Sequence, residues 1–119
     1  MKHIGSVPLA ELACDARARL AYAPSDVLVT LVDGTATAIE DACNHAGASL
    51  SAGAREGSVV VCPLHRYRFD LRSGALLSPR GACPAQRRFE AVVVGDRVHV
   101  YDPFRLAVVR ANPPRTPRG

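Results

Sequence analysis

The chain has 119 residues, 48% of them hydrophobic and 5% aromatic, which suits one domain with an aliphatic core. Its net charge is +4, but the basic residues are scattered, which excludes the basic stripe of a nucleic-acid-binding protein. Because there is no run of 18 apolar residues and no secretion-signal pattern, we expect a cytoplasmic protein that does not interact with a membrane.

The first half of the chain contains two clear strand patterns and one ambiguous segment. Residues 9–21 are the one plausible helix, although a loop with a single turn fits their charges and alanines equally well. Residues 27–32 and 35–39 are apolar runs typical of strands. Asp33-Gly34 between them is a strong signal for a two-residue hairpin turn.

Short apolar runs separated by turn residues continue to Pro103 and predict an all-β domain. The further predicted strands are residues 58–61, 69–71, 75–77, 89–94 and 97–101. Residues 112–119 contain three Pro and two Arg, a composition that predicts disorder. We therefore expect one domain over residues 1–103 and a C-terminal segment over residues 104–119.

Two short motifs bring metal-ligating side chains close together in the sequence. Cys43-Asn44-His45 and Cys62-Pro63-Leu64-His65 together offer two thiolates and two imidazoles. Such a set can hold a zinc ion, or a [2Fe–2S] cluster with two cysteines on one iron and two histidines on the other. The first alternative describes a structural module and the second an electron carrier.

The residues around the motifs, CNHAGASLSAG and VVVCPLHRYRFDLRSG, resemble a Rieske iron–sulfur domain of the bacterial ferredoxin type. The resemblance covers about residues 27–103. It implies stacked antiparallel sheets with two cluster-binding hairpin loops at one tip. It also implies that Cys43 and Cys62 bind the inner iron of one [2Fe–2S] cluster, and His45 and His65 the outer iron. Zinc modules generally bring their ligands at other spacings, which favours iron–sulfur.

Departures from the family pattern point to a low reduction potential. High-potential relatives join the two ligand loops by a disulfide, whose matching positions here are Ala48 and Leu64. Those relatives also place a serine and a tyrosine hydroxyl after the second histidine, where this chain has Tyr67 and Phe69. We therefore expect a potential in the low part of the Rieske range, whose lower end is about −150 mV.

A second departure is Arg66, which follows the second histidine at a position where the family often has glycine. If this position requires a positive φ, arginine there costs about 1 kcal/mol. Arg66 and Arg68 are either part of a solvated basic surface or help to steer an acidic redox partner to the cluster.

Three further residues are open to more than one interpretation. The two cysteines outside the motifs, Cys14 and Cys83, are expected to be ordinary reduced thiols. Pro84 is in the loop where the family has a proline-containing segment over the cluster, or it is an ordinary turn proline.

The resemblance implies a soluble one-electron carrier with no catalysis of its own, passing electrons from an NAD(P)H-dependent flavin reductase to a terminal oxygenase. The chain has no GxGxxG fingerprint and is too short to include the oxygenase iron domain. A second hypothesis is the small subunit of an NAD(P)H nitrite reductase, since residues 63–70 resemble those subunits too. A zinc-binding interaction module is a third. The complete four-ligand set favours the ferredoxin over the nitrite reductase subunit.

Overall fold

The computed structural model describes residues 1–44 and 47–103, and these form an all-β domain, as expected. Its strands are β1 (Lys2–Pro8), β2 (Arg17–Leu20), β3 (Val27–Val32), β4 (Thr35–Glu40), β5 (Ala54–Glu56), β6 (Val59–Val61), β7 (Arg68–Asp70), β8 (Leu76–Ser78), β9 (Arg88–Val94) and β10 (Arg97–Asp102). A six-stranded antiparallel sheet has the order β1-β10-β9-β4-β3-β2, and a four-stranded antiparallel sheet has the order β5-β6-β7-β8.

Strand β3 is buried on both faces and separates two hydrophobic cores. Val27 and Val29 face the core formed with β1, β9 and β10. Leu28 and Val32 face a second core that includes residues of the four-stranded sheet and the two motif cysteines. A strand buried on both faces needs a continuous apolar run, which explains why β3 reads VLVTLV without alternation.

The predicted hairpins are confirmed where local turn chemistry specifies them. Asp33 and Gly34 both have positive φ, 51° and 80°, as a type I′ turn requires. β3 and β4 therefore pair in register from Val32 with Thr35 to Val27 with Glu40. The β7–β8 and β9–β10 hairpins also form, with their strands within one residue of the predicted bounds.

Of the two alternatives for residues 9–21, the helix is wrong. Leu9–Leu12 forms one 3-10 turn, and Arg17–Leu20 forms β2, which pairs with β3. Between them, Cys14 and Asp15 have φ values of 55° and 62°, in the left-handed region that a right-handed helix excludes. The single-turn alternative describes Leu9–Leu12 but does not account for β2.

Within the part of the chain that the structure describes, no helix is long and apolar enough to cross a membrane. The predicted C-terminal segment, residues 104–119, lies outside the described residues.

Candidate metal centre

The first motif lies in a tight loop that closes on the backbone of its cysteine. The Cys43 N–H donates to the Ala48 carbonyl over 2.8 Å, and the Cys43 carbonyl accepts the Gly47 N–H over 2.7 Å. Gly47 has a φ of 74°, and a Cβ at this position would meet no atom within 4 Å. Glycine is thus favoured here by the backbone angle and not by crowding.

The second motif repeats this arrangement at the end of β6. The Cys62 N–H donates to the Tyr67 carbonyl over 2.8 Å, and the Cys62 carbonyl accepts the Arg66 N–H over 3.0 Å. Arg66 has a φ of 61°, so it occupies the left-handed position that Gly47 occupies in the first loop. The expectation of a strained arginine is therefore confirmed, at a cost of about 1 kcal/mol.

The two motif cysteines are buried, whereas the histidine of the second motif is exposed. The side chains of Cys43 and Cys62 are 2% and 0% exposed and belong to the same core as Leu50 and Phe69. His65 is exposed to solvent. The fourth predicted ligand, His45, lies outside the described residues, so its place at the site stays a prediction.

A third loop, between β8 and β9, contacts the first motif through Asn44. The Asn44 N–H donates to Gln86 Oε1 over 2.8 Å, and Asn44 Nδ2 donates to the Ala85 carbonyl over 2.7 Å. Gln86 Nε2 donates to the carbonyls of Glu40 and Ala42, over 2.9 and 2.7 Å. Sequence analysis missed Gln86 because an isolated glutamine belongs to no metal-site pattern.

Buried Asp41 supports the first loop from the other side. Its carboxylate accepts hydrogen bonds from the Ser49 hydroxyl and from the Ser51 N–H, the latter over 2.7 Å. Its backbone carbonyl accepts the Leu50 N–H over 2.8 Å. Asp41, two residues before the motif, and residues 49–51 after it are thus held together by hydrogen bonds that need no metal. Asp41 was not identified from the sequence, because a single aspartate in a loop is too common to indicate a supporting role.

Comparisons with known proteins agree with this geometry. A family model described as the Rieske [2Fe-2S] domain matches residues 7–101, which is most of the chain. The chain belongs to the Rieske [2Fe–2S] family. It is 38% identical to the biphenyl 2,3-dioxygenase ferredoxin component of Rhodococcus jostii RHA1 over 91 residues, which are 76% of this chain and 83% of that protein.

Solved structures of Rieske ferredoxins have the same fold. The ferredoxin of carbazole 1,9a-dioxygenase from Nocardioides aromaticivorans IC177 superposes with a TM-score of 0.75 at 28% identity, covering 85% of this chain and 98% of that one. A ferredoxin in complex with the oxygenase of carbazole 1,9a-dioxygenase superposes with a TM-score of 0.71 at 27% identity, covering 85% of this chain and 91% of that one.

Membership of the Rieske family implies a [2Fe–2S] cluster, and the described residues fit one. Two buried thiols and one solvent-exposed imidazole are three of the four donors of a Rieske cluster, in which cysteines and histidines bind different irons. Among the described residues, no three metal-binding side chains lie close enough together to hold a single ion. The Rieske match also favours iron–sulfur over the zinc alternative.

The two remaining cysteines are thiols, as predicted. Cys14 is exposed, whereas Cys83 is half-buried and packs against the core that includes Cys43 and Cys62. Burial raises the pKa of the Cys83 thiol, and negative charge on Cys62 raises it further. Both effects favour the neutral thiol form of Cys83. Pro84 is exposed, and its role as a cover stays a prediction.

Arg66 and Arg68, the two arginines that follow the second motif, differ in whether they form an ion pair. Within residues 1–44 and 47–103, no acidic group forms an ion pair with the exposed Arg66. Arg68 is already paired with Glu56, at 2.7 Å between Nη2 and Oε1. Arg66 is thus the better of the two candidates for attracting an acidic partner.

Proposed function

We propose that the protein is the ferredoxin component of an oxygenase system, with Cys43, His45, Cys62 and His65 as ligands of one [2Fe–2S] cluster. In this role it takes single electrons from an NAD(P)H-dependent flavin reductase and delivers them to a terminal oxygenase. The cluster, when bound, accepts and releases one electron at a time. The observation that carries the proposal is the pair of identically closed loops, each beginning with a buried cysteine.

The residues around the site hold the two ligand loops in place and leave one side of the site open to a partner. Hydrogen bonds from the backbone N–H and to the backbone carbonyl of Cys43 and of Cys62 hold the main chain of both loops without help from a metal. A change in charge at the site therefore requires little rearrangement of the loops. The apolar core excludes water from the thiolates. Because His65 is exposed, it offers a short path for electron transfer to a docked partner.

The relatives support this function over the nitrite reductase subunit. The relatives described above are named ferredoxins of dioxygenases, and one of them forms a complex with its oxygenase. By analogy, we propose a terminal oxygenase as the electron acceptor of this chain.

Metal analysis and reduction test the proposal together. Anaerobically purified protein should contain two iron atoms and two acid-labile sulfides per chain and should bleach when a flavin reductase and NAD(P)H are added. Re-oxidation by a Rieske oxygenase, with product formed in proportion, supports the carrier role. Stoichiometric zinc without sulfide contradicts the proposal.

The residues after the second histidine predict a low reduction potential. Phe69 is fully buried and has no hydrogen-bond donor on its side chain, and Tyr67 is a long side chain packed against the core. Fewer donors to the cluster sulfurs leave the reduced state less stabilised. Voltammetry should give a midpoint near the lower end of the Rieske range, about −150 mV. A midpoint above about +100 mV contradicts this hydrogen-bond argument.

Arg66 should control the rate of electron transfer. We expect Arg66→Glu to leave the absorption spectrum unchanged but to slow reduction of an acidic partner about tenfold at low ionic strength, because steering is reversed. In stopped-flow measurements at increasing salt, the rates of Arg66→Glu and the wild type should converge, because salt screens the charges.

Arg66→Lys is the matched control for that substitution. It keeps the positive charge and a Cβ at the left-handed φ of 61°, so its rate should stay close to that of the wild type. Equal rates for Arg66→Glu and Arg66→Lys at low salt would assign Arg66 to the solvated surface alone.

A further inference from the structure

Gln86 is a buried amide whose polar atoms are all used near the metal centre. It is 3% exposed and lies two residues before β9. Its Oε1 accepts from the Asn44 N–H, and its Nε2 donates to the carbonyls of Glu40 and Ala42. An amide has two donor hydrogens and one acceptor oxygen, so these three hydrogen bonds use each of them.

The backbone of Gln86 is fixed to the hairpin that follows the second ligand loop. Its N–H donates to the Gly74 carbonyl over 2.8 Å. Its own carbonyl lies so close to Gly74 that a Cβ there would be 2.4 Å from the oxygen. Gly74 belongs to the β7–β8 turn, and β7 begins two residues after Arg66. Gln86 therefore bridges the first ligand loop and the hairpin of the second.

The contact with Asn44 acts on the peptide unit directly after the first cysteine. The carbonyl of that unit, on Cys43, accepts the Gly47 N–H, and its N–H, on Asn44, donates to Gln86. Both polar ends of the peptide plane are thus held. The direction in which the chain leaves Cys43 towards residue 45 depends on this plane.

We propose that Gln86 is a positioning residue for the metal centre, orienting the peptide between Cys43 and Asn44 relative to the second ligand loop. The role rests on the proposed function, because this peptide is positioned for the cluster that the function requires. The Asn44 N–H is used by Gln86 Oε1, so Gln86 influences which N–H donors the loop presents. N–H donors near sulfur and ligand orientation both tune such centres.

Gln86→Met tests the proposal, since methionine has a similar length and volume but forms none of the three hydrogen bonds. The matched control is Thr30→Val, which removes the buried 2.6 Å hydrogen bond between Thr30 and Thr37 in the β3–β4 hairpin. Three measurements compare the variants with the wild type. The first is the rate of cluster loss, measured for each protein at the same number of degrees below its own thermal unfolding midpoint. The second is the set of EPR g values after reduction, and the third is amide hydrogen exchange over residues 42–50.

For Gln86→Met we expect cluster loss to be at least about fivefold faster, which is the effect of losing the Asn44 hydrogen bond alone; the carbonyls of Glu40 and Ala42 also lose their donor. Altered g values and faster exchange over residues 42–50 should accompany it. Thr30→Val should lower only the unfolding midpoint. If Gln86→Met behaves like Thr30→Val in all three measurements, the positioning role is overturned.

The exchange measurement separates this proposal from the proposed function. Should the wild type bind no iron–sulfur cluster, the proposed function fails, but exchange in the metal-free proteins still reports on the loop. Faster exchange over residues 42–50 in Gln86→Met then supports the contact as the determinant of loop order, and equal exchange overturns it.

Discussion

Cys62→Ala should give a folded, colourless protein that retains no iron–sulfur cluster. The loop of Cys62 is closed by its backbone N–H and carbonyl, which the substitution leaves intact, so only the thiolate is lost. A site with three ligands has neither the charge balance nor the geometry to hold the cluster. Because the side chain is 0% exposed, its removal also leaves a small cavity, which should cost about 1 kcal/mol of stability. Iron and acid-labile sulfide per chain, measured with the visible spectrum, check the result.

His65→Ala should abolish the cluster in the same way, with even less effect on the fold, because His65 is exposed. The matched control for the cysteine substitution is Cys14→Ala, which removes an exposed thiol far from the two motifs in sequence. We expect wild-type iron and sulfide in Cys14→Ala and a wild-type circular dichroism spectrum in all three variants. Full iron content in Cys62→Ala would remove Cys62 from the ligand set.

The parts of the fold that sequence analysis predicted correctly are those fixed by neighbouring residues. The turn at Asp33 and Gly34 specifies the β3–β4 hairpin because few other residues adopt two successive positive φ angles. The ligand assignment of the two motifs stays a prediction, although the close spacing of a cysteine and a histidine marks each motif as a metal-site candidate without any tertiary context. Whether residue 66 has a positive φ was left open by the sequence, and the structure supplies the answer, a φ of 61° for Arg66.

The strands that were missed depend on distant partners. β1 (Lys2–Pro8) contains a glycine and ends at a proline, which are weak strand formers, and it is held by pairing with β10 at the far end of the chain. β2 carries two arginines in four residues and was hidden inside the segment predicted as a helix. β5 (Ala54–Glu56) is only three residues long. In these cases tertiary pairing overrides local preference.

Residues that support the site were missed for a related reason. Gln86 and Asp41 have no partner nearby in the sequence that marks them, and their roles arise because three loops meet at the tip. A sequence pattern identifies ligands by spacing, whereas a supporting residue is identified by its hydrogen-bond partners. Only the structure supplies those partners.

Gly53→Ala should be among the most destabilising single substitutions in the protein. Gly53 is buried between the 3-10 turn of Leu50–Ala52 and β5, and a Cβ there would lie 1.9 Å from the Val61 carbonyl oxygen. The clash is with backbone, so no side-chain rotation relieves it. Its φ of −86° is accessible to any residue, and the cost is therefore steric alone.

Relief of this clash requires β5 and the end of β6 to separate, although Ala54 pairs with Val61 in the β5–β6 ladder. We expect a loss of about 3 kcal/mol, which lowers the thermal midpoint by roughly 10–20 °C for a domain of this size. Gly95→Ala is the control, because a Cβ there meets nothing within 4 Å and only the φ of 61° is unfavourable, at about 1 kcal/mol. Equal midpoints for the two variants would contradict the steric account. Since Val61 directly precedes Cys62, the displaced strand should also shift one thiol of the site, so cluster content should fall in Gly53→Ala and not in Gly95→Ala.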